Sequence, residues 1–153
     1  DVTESGYNFR LDEIRSSLGI NQLKRIKKIN SKRKKICQYY NDGLGKIEGI
    51  YVPELFPNNG EHSCHLYIIQ IGKKFSLSRN SLVKKLKASG ITTTVHYKPL
   101  HEFSVMKKYA KIYDKLNNSK RVYKEILSLP LYLSLTIKEQ DYIINQLRKF
   151  SKK

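Results

Sequence analysis

The stretch "HLYIIQIGKKFSLSRNSLVKKLKASGITTTVHY", residues 65–97, decides the fold. Its first part, His65 to Ile71, is short, β-branched and aromatic, which is how a strand reads. The helical rhythm of "SRNSLVKKLKASG" follows. Ser78 can cap that helix and Gly90 can end it, with Leu82, Val83, Leu86 and Ala88 on the buried side. "ITTTVHY", Ile91 to Tyr97, returns to strand chemistry, because threonine and valine favour pleated backbone. Strand, helix, strand in this order predicts an α/β or α+β two-layer arrangement, with helices covering a small sheet. The strand directions stay open at this point.

Upstream, Leu11, Ile14, Leu18, Leu23, Ile26, Ile29, Ile36 and Tyr40 recur at helical spacing. A long helix is expected from about Asp12 to Tyr40, stopped by Asn41-Asp42-Gly43. Gly49 to Val52 reads as a short strand, and Pro53 to Gly60 as a turn-rich loop. Downstream, "FSVMKKYAKIYDKLNNS" can hold a short helix ahead of Asn117-Asn118-Ser119. "KRVYKEILSLP" reads as a helix that ends before Pro130. Thr136 and Glu139 form a capping box at the start of a last helix, which points Ile143, Ile144, Leu147 and Phe150 at the core. One domain accounts for the chain; repeats and low-complexity linkers are absent from it.

The 153 residues carry a formal charge of +17, with 30 basic and 13 acidic side chains. Eight of the twelve residues in "KRIKKINSKRKK", Lys24 to Lys35, are basic, with Ile26 and Ile29 on the opposite side. This reads as a solvated helix face or as an anion-binding one, and no nucleic-acid recognition motif accompanies it. No apolar run is long enough to cross a bilayer as a helix, and no signal peptide is visible. Two cysteines, Cys37 and Cys64, make no disulfide framework, so a reducing cytoplasm is the expected setting.

Chemistry-bearing motifs are few. His62-Ser63-Cys64-His65 has the wrong spacing for a zinc pair, and no second pair stands downstream, so no metal site is expected. His96 and His101 flank "YKPL" at the end of a strand, where binding groups tend to sit, and a neutral imidazole can donate, accept or shuttle a proton. Loop packing is the competing role for both. No Walker loop, no GxGxxG and no nucleophile motif is present. No local feature singles out one lysine as activated.

Three segments, "GYNFRLDEIRSSLGINQLKRI" (6–26), "GITTTVHYKPLH" (90–101) and "LSLPLYLSLTIKEQDYIINQLRKF" (127–150), occur in this order and are spread over nearly the whole chain. In this they closely resemble the C-terminal part of the DegT/DnrJ/EryC1/StrS family, the sugar-nucleotide aminotransferases that use pyridoxal phosphate. The resemblance implies the small C-terminal domain of a fold type I enzyme spanning 1–153, with 1–45 as the long connecting helix. It also implies that the large cofactor-binding domain is absent from this chain, together with the lysine that forms the Schiff base. No catalytic residue is therefore assigned here. The implied parent is a homodimer that moves an amino group, from glutamate, to a nucleotide-linked keto-sugar, with pyridoxal phosphate as the electron sink. The fragment alone is expected to be inactive and to bind no cofactor.

On the same resemblance, Asn8 matches the asparagine that reaches across the dimer to the cofactor phosphate. An amide N–H suits that task because it binds phosphate without adding charge. His96, Tyr97 and His101 are the matching candidates for substrate binding; Arg10, which flanks Asn8, is a further candidate by bidentate pairing with a carboxylate or phosphate, with an inter-subunit salt bridge as the competing role. Lys98 stands where many relatives carry proline, which leaves the shape of that turn open. No specific nucleic acid and no membrane are expected as partners. The alternative function is a small basic module that binds nucleic acid or another polyanion, resting on the charge excess and the 24–35 face.

Overall fold

The computed structural model describes residues 4, 6–7, 9–55, 62–109, 111 and 115–152. Helix α1 runs over Glu13–Leu44. Asp12 caps it by accepting from the Arg15 amide at 2.8 Å. Its buried residues, Ile29, Ile36, Cys37, Tyr40 and Leu44, form one stripe along the C-terminal half. The apolar series continues towards the N-terminus, but Ile14, Leu18 and Leu23 are 77%, 62% and 70% exposed. The helical spacing is therefore correct while the burial stops at Ile29.

Asn41-Asp42-Gly43 does not stop α1, which continues to Leu44. The reason lies in tertiary contacts. Asn41 donates to the Pro53 carbonyl at 3.1 Å and accepts from the Tyr67 hydroxyl at 2.7 Å, so its amide serves the sheet and not a turn. Gly43 lies against helix α5 (Ile137–Ser151), where an added Cβ would sit 2.6 Å from Ile144 Cδ1. Glycine here permits close approach of the two helices.

The sheet has three antiparallel strands in the order β1 (Ile50–Tyr51), β2 (Tyr67–Ile71) and β3 (Ile126–Leu129). Ile69 stands opposite Leu127 and Tyr67 opposite Leu129, all four buried. Residues directly opposite share a face. This face therefore holds the core, together with Tyr40, Leu44 and Leu147. Tyr40 and Tyr67 stack at 4.8 Å between ring centroids, and the Tyr40 hydroxyl donates to the Pro130 carbonyl. Burial pushes both phenols well above their ordinary range.

Two expected elements take a different form. Residues 126–129, expected as the end of a helix, are instead β3, and the preceding helix α4 is Asn117–Glu125. Four consecutive buried residues cannot all face one side of a surface helix, but a strand covered on both faces accommodates them. "ITTTVHY" is not a full strand: Thr94 alone bridges Ser128, with N···O distances of 3.2 and 2.8 Å. The ladder cannot grow in either direction. The next pairing position one way falls on Pro130, which has no N–H. The other way it falls on Ile126, whose N–H is used by the Val122 carbonyl and whose carbonyl accepts from Arg79 at 3.1 Å.

Helix α2, Arg79–Ala88, is capped by Ser78 and buries Leu82 and Leu86, while Ala88 is exposed. Gly90 follows it at φ +76°. A 3-10 turn, Leu100–Glu102, and helix α3, Ser104–Tyr109, succeed the Thr94 bridge. The Thr136–Glu139 capping box is formed in both directions. The Thr136 amide and hydroxyl hold the Glu139 carboxyl below its usual range. Gln140, buried in α5, donates to the Ile36 carbonyl at 3.0 Å and so ties α5 to α1.

Candidate functional site

The second face of the sheet carries Ile68, Gln70, Ser128 and Ile126, in register across β2 and β3. Ser128 is the polar residue of "ILSL", and it is buried, 5% exposed. Its hydroxyl lies 2.8 Å from His96 Nδ1. The His96 ring meets Tyr97 edge-on, at 4.7 Å between centroids, and the peptide between them is cis. Tyr97 is 72% exposed, so this aromatic edge faces solvent.

The chain then turns at Pro99. Lys98 Nζ sits over the Phe103 ring at 5.1 Å. His101 lies on the 3-10 turn, and its Nε2 is shielded without a hydrogen-bond partner among the described residues. Residues 94–103 thus form a short arc off the sheet edge that presents two imidazoles, a phenol and an ammonium. An arc of that chemistry can donate to anionic or hydroxylic oxygens and can pack against a planar ring.

The other predicted residues do not join it. Asn8 lies outside the described residues. Arg10 is exposed, makes no ion pair among the described residues, and no described contact links it to the arc. The basic residues 24–35 line the outside of α1, where Arg25, Lys28 and Lys32 border a groove of about 160 Å³ with Leu133. A wider groove of about 470 Å³ lies between Ile91, Tyr132, Leu135 and Tyr142, with Lys138 and Glu139 on its lining; it contains none of the candidate residues. Ser128 is the member of this arrangement that sequence reading overlooks. The available signal is one hydroxyl inside an otherwise apolar run.

Cys37 and Cys64 are both buried and free, and Cys64 Sγ lies 3.4 Å from His62 Nδ1. Burial, with Cys64 adjacent, pushes the Cys37 thiol up to about 12. The Cys64 amide donates to His62 Nδ1 at 3.0 Å. No group of three or more potential metal ligands forms among the described residues. Cys37 and Cys64 pack in the core, while His62 and His65, before β2, are exposed.

A match over residues 1–148 to the model of the DegT/DnrJ/EryC1/StrS aminotransferases decides the identity. The chain belongs to this family. Among curated relatives, a UDP-4-amino-4,6-dideoxy-N-acetyl-beta-L-altrosamine transaminase of Campylobacter jejuni is 34% identical over 143 residues. That match covers 94% of this chain and 38% of the relative. The spore coat polysaccharide biosynthesis protein SpsC of Bacillus subtilis is 30% identical, over 99% of this chain and 40% of its own length. Among solved structures, a DegT DnrJ EryC1 StrS aminotransferase from Brucella abortus superposes with a TM-score of 0.84 at 30% identity. It covers all of this chain, and 39% of that chain is matched. PseC of Helicobacter pylori, an aminotransferase involved in the biosynthesis of pseudoaminic acid, gives 0.84 at 28% identity, over 99% of this chain and 40% of its own.

The chain therefore spans about two fifths of the length of these family members. The fold is a small mixed α/β domain matching part of a type I pyridoxal-phosphate aminotransferase. Pyridoxal phosphate is the cofactor of the family. A lysine that holds it needs an enclosed setting, and every described lysine of this chain is exposed. The described residues do not fit a complete holder for the cofactor, and no step is assigned through it.

Proposed function

We propose that residues 1–153 are the C-terminal, substrate-facing part of an aminotransferase that transfers an amino group from glutamate to a nucleotide-linked keto-sugar. One observation carries this reading: the match runs along 1–148, while the matched relatives are more than twice as long. In this proposal the small domain comprises the whole chain, with 1–45 as the connecting helix, and the cofactor-linking lysine belongs to residues outside it. The exposed row Ile14, Leu18 and Leu23 on α1 suits a helix that another part of the enzyme covers.

Each candidate residue then has a task. The Asn8 amide donates to the cofactor phosphate across a homodimer. Arg10 pairs with a carboxylate or phosphate. His96 and His101 donate to oxygens of the substrate, and Tyr97 packs against one of its rings. The setting is the cytoplasm, where nucleotide-linked sugars are made.

A hybrid tests the proposal: residues 1–153 replace the matching C-terminal part of the Campylobacter jejuni transaminase. The expected result is a cofactor-loaded protein that consumes glutamate in the presence of a nucleotide-linked keto-sugar. Replacing His96 with alanine in that hybrid should raise KM for the sugar about tenfold, the size of one lost hydrogen bond to a charged or hydroxylic oxygen. A folded, cofactor-loaded hybrid that aminates none of a panel of such sugars would defeat the proposal.

A further inference from the structure

We infer that Ser128 is a positioning residue that fixes His96 as the neutral tautomer protonated on Nε2, a hydrogen-bond donor turned away from the sheet. The ligand part of this inference, an acceptor oxygen on the nucleotide-linked sugar, rests on the function proposed above. The tautomer part does not.

Ser128 cannot move to suit the imidazole. Its carbonyl accepts from the Thr94 amide at 3.2 Å and its own amide donates to the Thr94 carbonyl at 2.8 Å. Its neighbours Leu127 and Leu129 face Ile69 and Tyr67 across β2. The hydroxyl therefore leaves the sheet at a fixed point, on the face opposite the main core, and meets His96 Nδ1 at 2.8 Å.

The direction of that hydrogen bond follows from satisfaction. A buried hydroxyl hydrogen needs an acceptor, and leaving it unpaired is penalised. The Ser128 carbonyl is already committed to Thr94, and Nδ1 is the acceptor that the hydroxyl meets among the described residues. Ser128 Oγ–H therefore donates to the Nδ1 lone pair. A neutral imidazole that accepts at one nitrogen carries its proton on the other. Nε2 lies across the ring from Nδ1, so its N–H points away from β3. The Tyr97 ring, edge-on against His96, limits rotation of the imidazole.

This arrangement gives His96 a defined chemistry. It is a donor to oxygen, and it is not poised to withdraw a proton at Nε2.

Long-range proton–nitrogen spectra of the nitrogen-15-labelled 153-residue chain at pH 8 read this directly. We expect a single His96 pattern, with Nε2 protonated and Nδ1 bare. Ser128→Ala should move both nitrogens towards the averaged shifts of exchanging tautomers, and Ser128→Thr, which keeps the hydroxyl, should restore the pattern. A wild-type spectrum with Nδ1 protonated would overturn the assignment whatever the variants do, as would a folded Ser128→Ala protein with an unchanged spectrum. In the hybrid enzyme, Ser128→Ala should raise KM for the sugar about tenfold and leave kcat within about threefold. A fixed tautomer with no change in KM would remove the ligand contact. An inactive hybrid would instead count against the proposed function, because the tautomer is read without any ligand.

Discussion

Gly49→Ala is expected to destabilise the protein by about 3–5 kcal/mol, a large share of the about 5–15 kcal/mol that holds a typical domain folded. Two penalties combine. Gly49 has φ +82°, where a side chain other than glycine is strained by about 1–3 kcal/mol. An added Cβ would also lie 2.2 Å from the Phe75 backbone nitrogen and 2.6 Å from its Cα. That neighbour is backbone and cannot rotate aside. Nor can the turn shift easily: the Gly72 amide donates to the Gly49 carbonyl at 2.8 Å, and the Phe75 amide donates to the Gly72 carbonyl at 3.1 Å. Overpacking of this kind typically adds about 1–3 kcal/mol. Urea unfolding followed by circular dichroism measures the effect, and a loss below about 1 kcal/mol would show that the β1–β2 region does not pack as described.

Leu127→Ala should lower stability by about 3–4 kcal/mol, within the range for fully buried leucines. Leu127 is completely buried, opposite Ile69 at the middle of the β2–β3 ladder. Backbone pairing holds both strands in place, so the surroundings cannot collapse into the space left behind. The informative comparison is Leu18→Ala on α1. Leu18 is 62% exposed, and its truncation should change stability by no more than about 0.5 kcal/mol. Both leucines lie in stretches that a sequence reading assigns to helices. Equal losses for the two variants would contradict the placement of β3 in the core and of the first half of α1 outside it.

These two leucines also show what the sequence conveys and what it does not. Capping chemistry is local, so Ser78 and Thr136 are legible as caps and cap as expected, while Asp12, legible only as the approximate start of the long helix, proves to be its cap. The helical spacing of α1 is legible too, but spacing does not say what covers a face, and Leu18 and Leu23 stay exposed. The strand at 126–129 is hidden because a short run buried on both sides has no alternating pattern to separate it from a helix end. "ITTTVHY" has strong strand propensity but only one bridge, since its partner offers Pro130 at one end and an already engaged Ile126 at the other.

The site is legible in part. The structure brings His96, Tyr97 and His101 into one arc, while Arg10 stands apart from it. Ser128 is invisible without the register, because only the bridge to Thr94 sets its hydroxyl beside His96. The fold class is readable from strand, helix and strand, whereas its aminotransferase meaning rests on the three family segments.

We propose that the amino-transfer chemistry needs a lysine outside these residues. Incubating the purified 153-residue chain with pyridoxal phosphate, glutamate and a nucleotide-linked keto-sugar, followed by borohydride reduction and peptide mass spectrometry, tests it most directly. No turnover is expected, with label spread thinly over many exposed lysines. Turnover accompanied by cofactor on one unique lysine of this chain would contradict it.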